Sequence, residues 1–144
     1  MPERRIAAGA HMTSVAGMLR RWGPSLLMIG AIFLFSSIPS REMPRFGSFD
    51  VLVKKGGHAF GYGLLAATFW HGFNWNRKLW WAVLLLAVLY AVTDEYHQSL
   101  VPGRHPSAVD VAIDTTAAAI SLAICALARK AHRRDNPESD NGVR

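Results

Sequence analysis

The chain has 144 residues, 51% of them hydrophobic and 18% charged, with 16 basic residues against 10 acidic ones. The apolar fraction excludes a disordered chain, and 12 glycines and 7 prolines are too few for a fibrous one. A net charge of +6 admits a nucleic-acid partner only if the basic residues gather on one folded face, so their placement along the chain decides the class.

Residues 1–21 form a basic N-terminal segment ahead of four apolar runs. Each run is near the roughly 20 helical residues that cross a hydrocarbon core. The first run, 22–38, contains no charge. FLFSSIPSR at its end offers no small-x-small cleavage site, so it reads as an uncleaved anchor. The second run, 56–73, carries only His58 and His71 as charge-bearing groups, and the third, 79–98, opens with LWWAVLLLAVLYAV before turning acidic at Asp94 and Glu95. The fourth, 109–128, has Asp110 and Asp114 in its first two turns and is then uncharged. The segment 129–144 is a basic, polar tail that reads as disordered.

Four such runs with short connections predict an all-α membrane bundle of four helices spanning 22–128, because lipid admits only helices or closed barrels. The runs do not alternate, which argues against a barrel. A soluble bundle would need a polar stripe along each helix, and residues 26–35 and 79–92 have none. Eleven of the 16 basic residues fall in the N-terminal segment, at Arg77 and Lys78, or in the tail. The other five are Arg41, Arg45, Lys54, Lys55 and Arg104. The positive-inside rule then puts both termini in the cytoplasm. The lone Cys125 forms no intramolecular disulfide and reads as a packing residue.

This topology collects the unusual polar residues at the outer end of the bundle. His58 and Tyr62 are spaced i,i+4 and share a helix face with Lys55; Asp94 with Gln98 and Asp110 with Asp114 repeat the spacing. Ionisable groups within a span cost about 2.5–3.5 kcal/mol each on insertion scales, so they normally face the interior and find partners. The candidate ligand-binding residues are Lys55, His58, Tyr62, Asp94, Glu95, Gln98, Arg104, Ser107, Asp110 and Asp114. His58, Asp94 and Glu95 are the candidates for acid–base catalysis.

Plainer roles compete for several of these residues. Ser107 and Asp110 fit an S-x-x-D capping box, so Asp110 reads equally as a cap and as a site residue. Lys54 reads as a snorkelling lysine. Gly57 with Gly61, Gly63 with Ala67, and Ala117 with Ser121 read as small-residue helix contacts. Trp70, Trp75, Trp80 and Trp81 read as an interfacial belt at the inner ends of the second and third spans. Pro102-Gly103 signals a turn between helices.

These strings resemble the VanZ-like membrane proteins over about residues 33–120. The resemblance rests on FSSIP within FLFSSIPS, on Lys55, His58 and Tyr62 as K-x-x-H-x-x-x-Y, and on TDEYHQSLVPGRHPSAVDVAIDT from Thr93 to Thr115. Two positions depart from the family pattern. Gly61 stands where many members place an acid, and Ala117 where a glycine is expected. The resemblance implies a multi-pass protein of the bacterial plasma membrane, in a family whose founding member gives low-level teicoplanin resistance. It implies no particular reaction.

Three function classes follow. A protein that binds or modifies a cell-envelope component, such as a lipid-linked precursor, would use Lys55 and Arg104 toward a phosphate or carboxylate. An accessory protein would use the same ion network to hold the bundle and dock a partner. A transporter or proton channel ranks lowest, because the acids cluster at one end. No metal, cofactor or nucleic acid is expected: Asp94 and Glu95 are adjacent and point apart, and no two histidines have ligand spacing. PGRHPS is not a lipid-phosphatase string, and no phosphate loop or nucleophile elbow occurs.

Overall fold

A computed structural model of the chain describes the backbone of residues 3–135 and the side chains of residues 15–135. Four helices follow in order: α1 (Glu3–Ser36), α2 (Asp50–Gly72), α3 (Trp80–Ser99) and α4 (Ala108–Asp135), with no strand among the described residues. Short 3-10 turns at Gly47–Phe49 and Arg77–Leu79 lead into α2 and α3. Three segments among the described residues are long and apolar enough to cross a membrane: Val15–Ser36, Arg77–Ser99 and Ala108–Asp135. The helix α2 lies among them, packed on α4, α1 and α3.

Burial follows helical periodicity. On α3 the enclosed positions are Val83, Ala87, Ala91, Asp94, Glu95 and Gln98, on α2 Tyr62, Leu65, Ala66, Phe69 and Trp70. The opposite faces are apolar yet exposed, as at Leu27 (72%), Leu34 (67%) and Leu127 (67%). A soluble bundle would arrange these the other way, so the exposed apolar faces suit lipid.

Helix ends differ from the apolar runs for a common reason. A charged residue that faces the bundle interior does not end a helix, so α2 starts at Asp50 and takes in Lys54 and Lys55, six residues ahead of the predicted run. At the other end, α4 continues to Asp135, so residues 129–135 of the tail are helical rather than disordered. Alanine, arginine and lysine favour helix there, and cations suit a helix C-terminus. The remainder of the tail, 136–144, lies outside the described residues, as do the side chains of Arg4 and Arg5.

The tryptophan belt needs one correction. Trp80 and Trp81 are exposed, but Trp70 is 2% exposed and plugs the core, its Nε1 donating to the Asn76 carbonyl at 3.1 Å. Small-residue contact is also more selective than the pattern suggests. A Cβ on Gly63 would meet Ser121 at 3.6 Å and the Ala117 carbonyl at 3.7 Å, so Gly63, Ala117 and Ser121 bring α2 against α4. Gly57 faces open space.

Among the glycines of the described residues, the one with least room for a side chain lies elsewhere. A Cβ on Gly72 would sit 2.7 Å from the Trp22 ring, which is itself wedged edge-on against Phe73 at 5.1 Å. Gly72→Ala is therefore expected to destabilise the α1–α2 contact by about 1–3 kcal/mol, as overpacking does. A lowered unfolding midpoint in mixed micelles would register it, and an unchanged midpoint would contradict this packing.

Candidate functional site

The helices run up and down. The Arg21 carbonyl meets the His71 ring at one end of the bundle, where Arg129 also stacks over Trp75. At the other end, Ser36, Lys55, Asp94 and Asp110 come together. All ten sequence-derived candidates lie at or near that second end.

The connection from α3 to α4 positions much of it. Arg104 N donates to the Val101 carbonyl, closing a turn with Pro102 second and Gly103 third. Gly103 has φ +75°, the left-handed conformation that a type II turn requires at this position. The turn delivers Arg104 to the end of α1, where the last carbonyls lack i+4 helical partners and Phe35 O has only a long backbone bond from Ile38 N at 3.3 Å. Its Nε donates to Ile38 O at 3.2 Å and its Nη2 to Phe35 O at 2.9 Å. Arg104 thus caps α1, an engagement the phosphate reading did not anticipate.

The capping box is only half formed. Ser107 Oγ accepts from Val109 N at 3.2 Å, as an N-cap does. The reciprocal bond comes from α3: Ser107 N donates to Glu95 Oε2 at 2.7 Å. Asp110 is left free of capping and pairs with Lys55 of α2. One turn deeper, His58 Nδ1 faces Asp114 Oδ2 at 3.9 Å. Lys55 and His58 therefore face Asp110 and Asp114, two pairs in register across the α2–α4 contact.

On α3 the adjacent acids diverge, as their spacing requires. Glu95 turns to α4, whereas Asp94 turns to α1, where its Oδ2 accepts from Ser36 Oγ at 2.9 Å and from Gln98 Nε2 at 3.0 Å. Tyr62 is fully buried next to His58, ring centroids 6.4 Å apart, and 6.0 Å from Tyr90, whose hydroxyl donates to Ile29 O.

Beside these groups lies a cavity of about 180 Å³, lined among others by Lys55, His58, Glu95, Gln98, Arg104, Asp110 and Asp114. Three buried polar atoms at this end of the bundle have no hydrogen-bond partner among the described residues, Tyr62 Oη, Asp94 Oδ1 and Asp114 Oδ1, and of these residues only Asp114 lines the cavity. Buried polar atoms are normally paired, because leaving one bare costs about 1–3 kcal/mol. Of the acid–base candidates, Asp94 and Glu95 are held through one oxygen each, while His58 has only the long approach to Asp114. Among the described residues, no three His, Cys, Asp or Glu side chains are grouped to hold a metal ion.

Sequence reading missed Asp50 and underrated Ser36 and His97. Asp50 lines the cavity and takes Lys54 Nζ at 2.7 Å, so Lys54 also forms an ion pair at the cleft. The i,i+4 spacing of Asp50 and Lys54 was available as a signal. Ser37 Oγ lies 2.9 Å from His97 Nε2, and His97 stacks on Phe33 at 4.5 Å, closing the α1–α3 seam. No sequence pattern links these last groups, which are about 60 residues apart.

Apolar exterior, long helices and a polar cleft enclosed at one end define a multi-pass membrane protein with an internal polar site. Residues 10–129 match the VanZ/LLP1 family, and the chain belongs to it. Comparison with curated proteins and with solved structures gives no match.

Proposed function

We propose that the chain is a four-span protein of the bacterial plasma membrane with both termini in the cytoplasm. Its cleft then opens on the outer face, binds or modifies a cell-envelope component, and so contributes to glycopeptide resistance of the teicoplanin type. The observation that carries this reading is Asp114 Oδ1, a buried atom without a hydrogen-bond partner among the described residues, on a residue that lines the cleft. A polar group bound in the cleft that hydrogen-bonds this oxygen removes a standing cost, and His58, on the same wall, is placed to exchange a proton with that group.

Size narrows the ligand. About 180 Å³ is below the roughly 300–1,000 Å³ of drug-sized pockets, so the cleft takes one polar head and not a whole glycopeptide. Resistance through this site therefore acts on an envelope component that the antibiotic needs, rather than by enclosing the drug.

A second reading, an accessory protein whose polar network holds the bundle, is favoured by a different observation. Four polar contacts each join two elements: Ser36–Asp94, Lys55–Asp110, Glu95–Ser107 and Arg104–Phe35. One experiment separates the two. A deletion strain is complemented with wild type, His58→Ala or Asp114→Asn, and envelope-antibiotic sensitivity is measured beside membrane abundance. The binding reading expects the deletion to sensitise the cell, with both variants abundant yet unable to restore resistance. Unchanged sensitivity of the deletion strain to every envelope antibiotic removes the resistance role. Variants that restore resistance in proportion to their abundance support the accessory reading.

A further inference from the structure

The far end of the bundle holds a second cavity, of about 190 Å³, with a different character. Arg77 from the turn before α3 and Arg129, Lys130, Arg133 and Arg134 from α4 line it together with Trp70 and Trp75. None of these five cations has a carboxylate within ion-pair distance among the described residues. Like charges brought together without counter-charge repel one another, so the arrangement suits an anion.

The local backbone is shaped to hold the aromatic floor. Asn74 and Trp75 both adopt left-handed φ, 52° and 56°, which costs non-glycine residues about 1–3 kcal/mol each. The turn persists because Trp75 N donates to Trp70 O at 2.9 Å, which presents the Trp75 ring to Arg129, 4.8 Å from its centroid. Stacking fixes the guanidinium plane and leaves its edge N–H groups available to an oxyanion.

This basic cavity does not stand alone. A neighbouring groove of about 220 Å³ shares Trp70, Arg77 and Ala126 with it and continues along Trp80, Leu84, Leu122 and Ala123. Its walls are almost wholly apolar, and it runs between α3 and α4 on the outer surface of the bundle. A cationic cup opening into an apolar groove between membrane helices has the two-part chemistry of an anionic phospholipid: phosphate in the cup, acyl chain in the groove. We propose that this end of the protein is a specific site for an anionic membrane phospholipid. The inference needs only that the bundle lies in a membrane, and it is independent of the ligand at the opposite end. With the topology proposed above, the lipid comes from the cytoplasmic leaflet.

The test uses the purified full-length chain in detergent, titrated with phosphatidylglycerol, with phosphatidylcholine of the same acyl chains, or with inorganic phosphate. Bound lipid is counted by native mass spectrometry. Phosphatidylglycerol is expected to bind saturably and at least about tenfold more tightly than phosphatidylcholine, with inorganic phosphate unable to displace it. Each cation near a membrane surface is worth about 1 kcal/mol toward anionic lipid, so Arg77→Gln or Arg133→Gln is expected to weaken binding about fivefold. Ala123→Phe, which fills the groove without changing charge, is expected to weaken it as well. Arg41→Gln at the other end serves as the control and is expected to change nothing. Equal binding of the two lipids overturns the proposal, as does displacement by inorganic phosphate alone, which denotes a free-anion site. A loss in Arg41→Gln equal to that in Arg77→Gln overturns it too, as non-specific charge attraction.

Discussion

Asp94→Ala is expected to be among the most damaging single substitutions in the bundle, costing about 1–3 kcal/mol. The carboxylate takes hydrogen bonds from Ser36 Oγ on α1 and from Gln98 Nε2 one turn away, and all three groups are buried. On the scale of soluble proteins, two bonds to a charged group would suggest about 3–6 kcal/mol. Interhelical polar contacts in lipid average about 0.6 kcal/mol and reach about 1.7, because the unfolded helices find other partners in the membrane. The lower range therefore governs. Asp94→Asn keeps the shape and one acceptor, so its cost is expected to be less than half as large. Unfolding in a titration of denaturing detergent measures both, and equal costs for Ala and Asn would show that volume, not hydrogen bonding, is what Asp94 supplies.

Arg104→Ala is expected to loosen the end of α1 and to cost about 1–2 kcal/mol, through loss of two charge-assisted bonds at a half-exposed position. Lysine keeps the charge but not the fork that reaches Phe35 O and Ile38 O together, so Arg104→Lys is expected to recover little of the loss. Hydrogen exchange of the residues around 34–40 reads this directly. Faster exchange confined to that segment is the expected pattern, and unchanged exchange would contradict the capping role.

These two residues show how far the sequence could be read. The long apolar runs announced the helices, since nothing but a membrane span or a buried core helix needs so many apolar residues in succession. Convergence at one end was legible as well: the i,i+4 pairs Asp94/Gln98, Asp110/Asp114 and His58/Tyr62 fall at the same end once the helices alternate in direction. The pairing of those groups was not legible. Ser107 and Asp110 have the spacing of a capping box, yet Glu95, twelve residues earlier, takes the Ser107 amide and leaves Asp110 to Lys55. Competition of that kind is decided by distances between helices, which spacing within one helix does not contain. Arg104 is a second example, because its partners are backbone carbonyls and no residue type marks those.

These contacts also decide which substitutions report on function. Glu95 and Arg104 tie helices together, so their loss mixes folding with activity. His58 and Asp114 are better probes: they line the cavity, and Asp114 keeps one oxygen without a partner. Asp114→Asn preserves volume and removes the ionisable group, which separates a proton-exchanging or ionic role from a packing one.

The claim on which the proposed function most depends is that the polar cleft opens outside and the basic end inside. In a Cys125→Ser background, Val51→Cys at the mouth of the cleft and Ala131→Cys near the end of α4 are treated with a membrane-impermeant maleimide. The expected result in intact cells is labelling at position 51 and none at position 131 until the membrane is opened. Labelling of position 131 in intact cells, with position 51 protected, would contradict it.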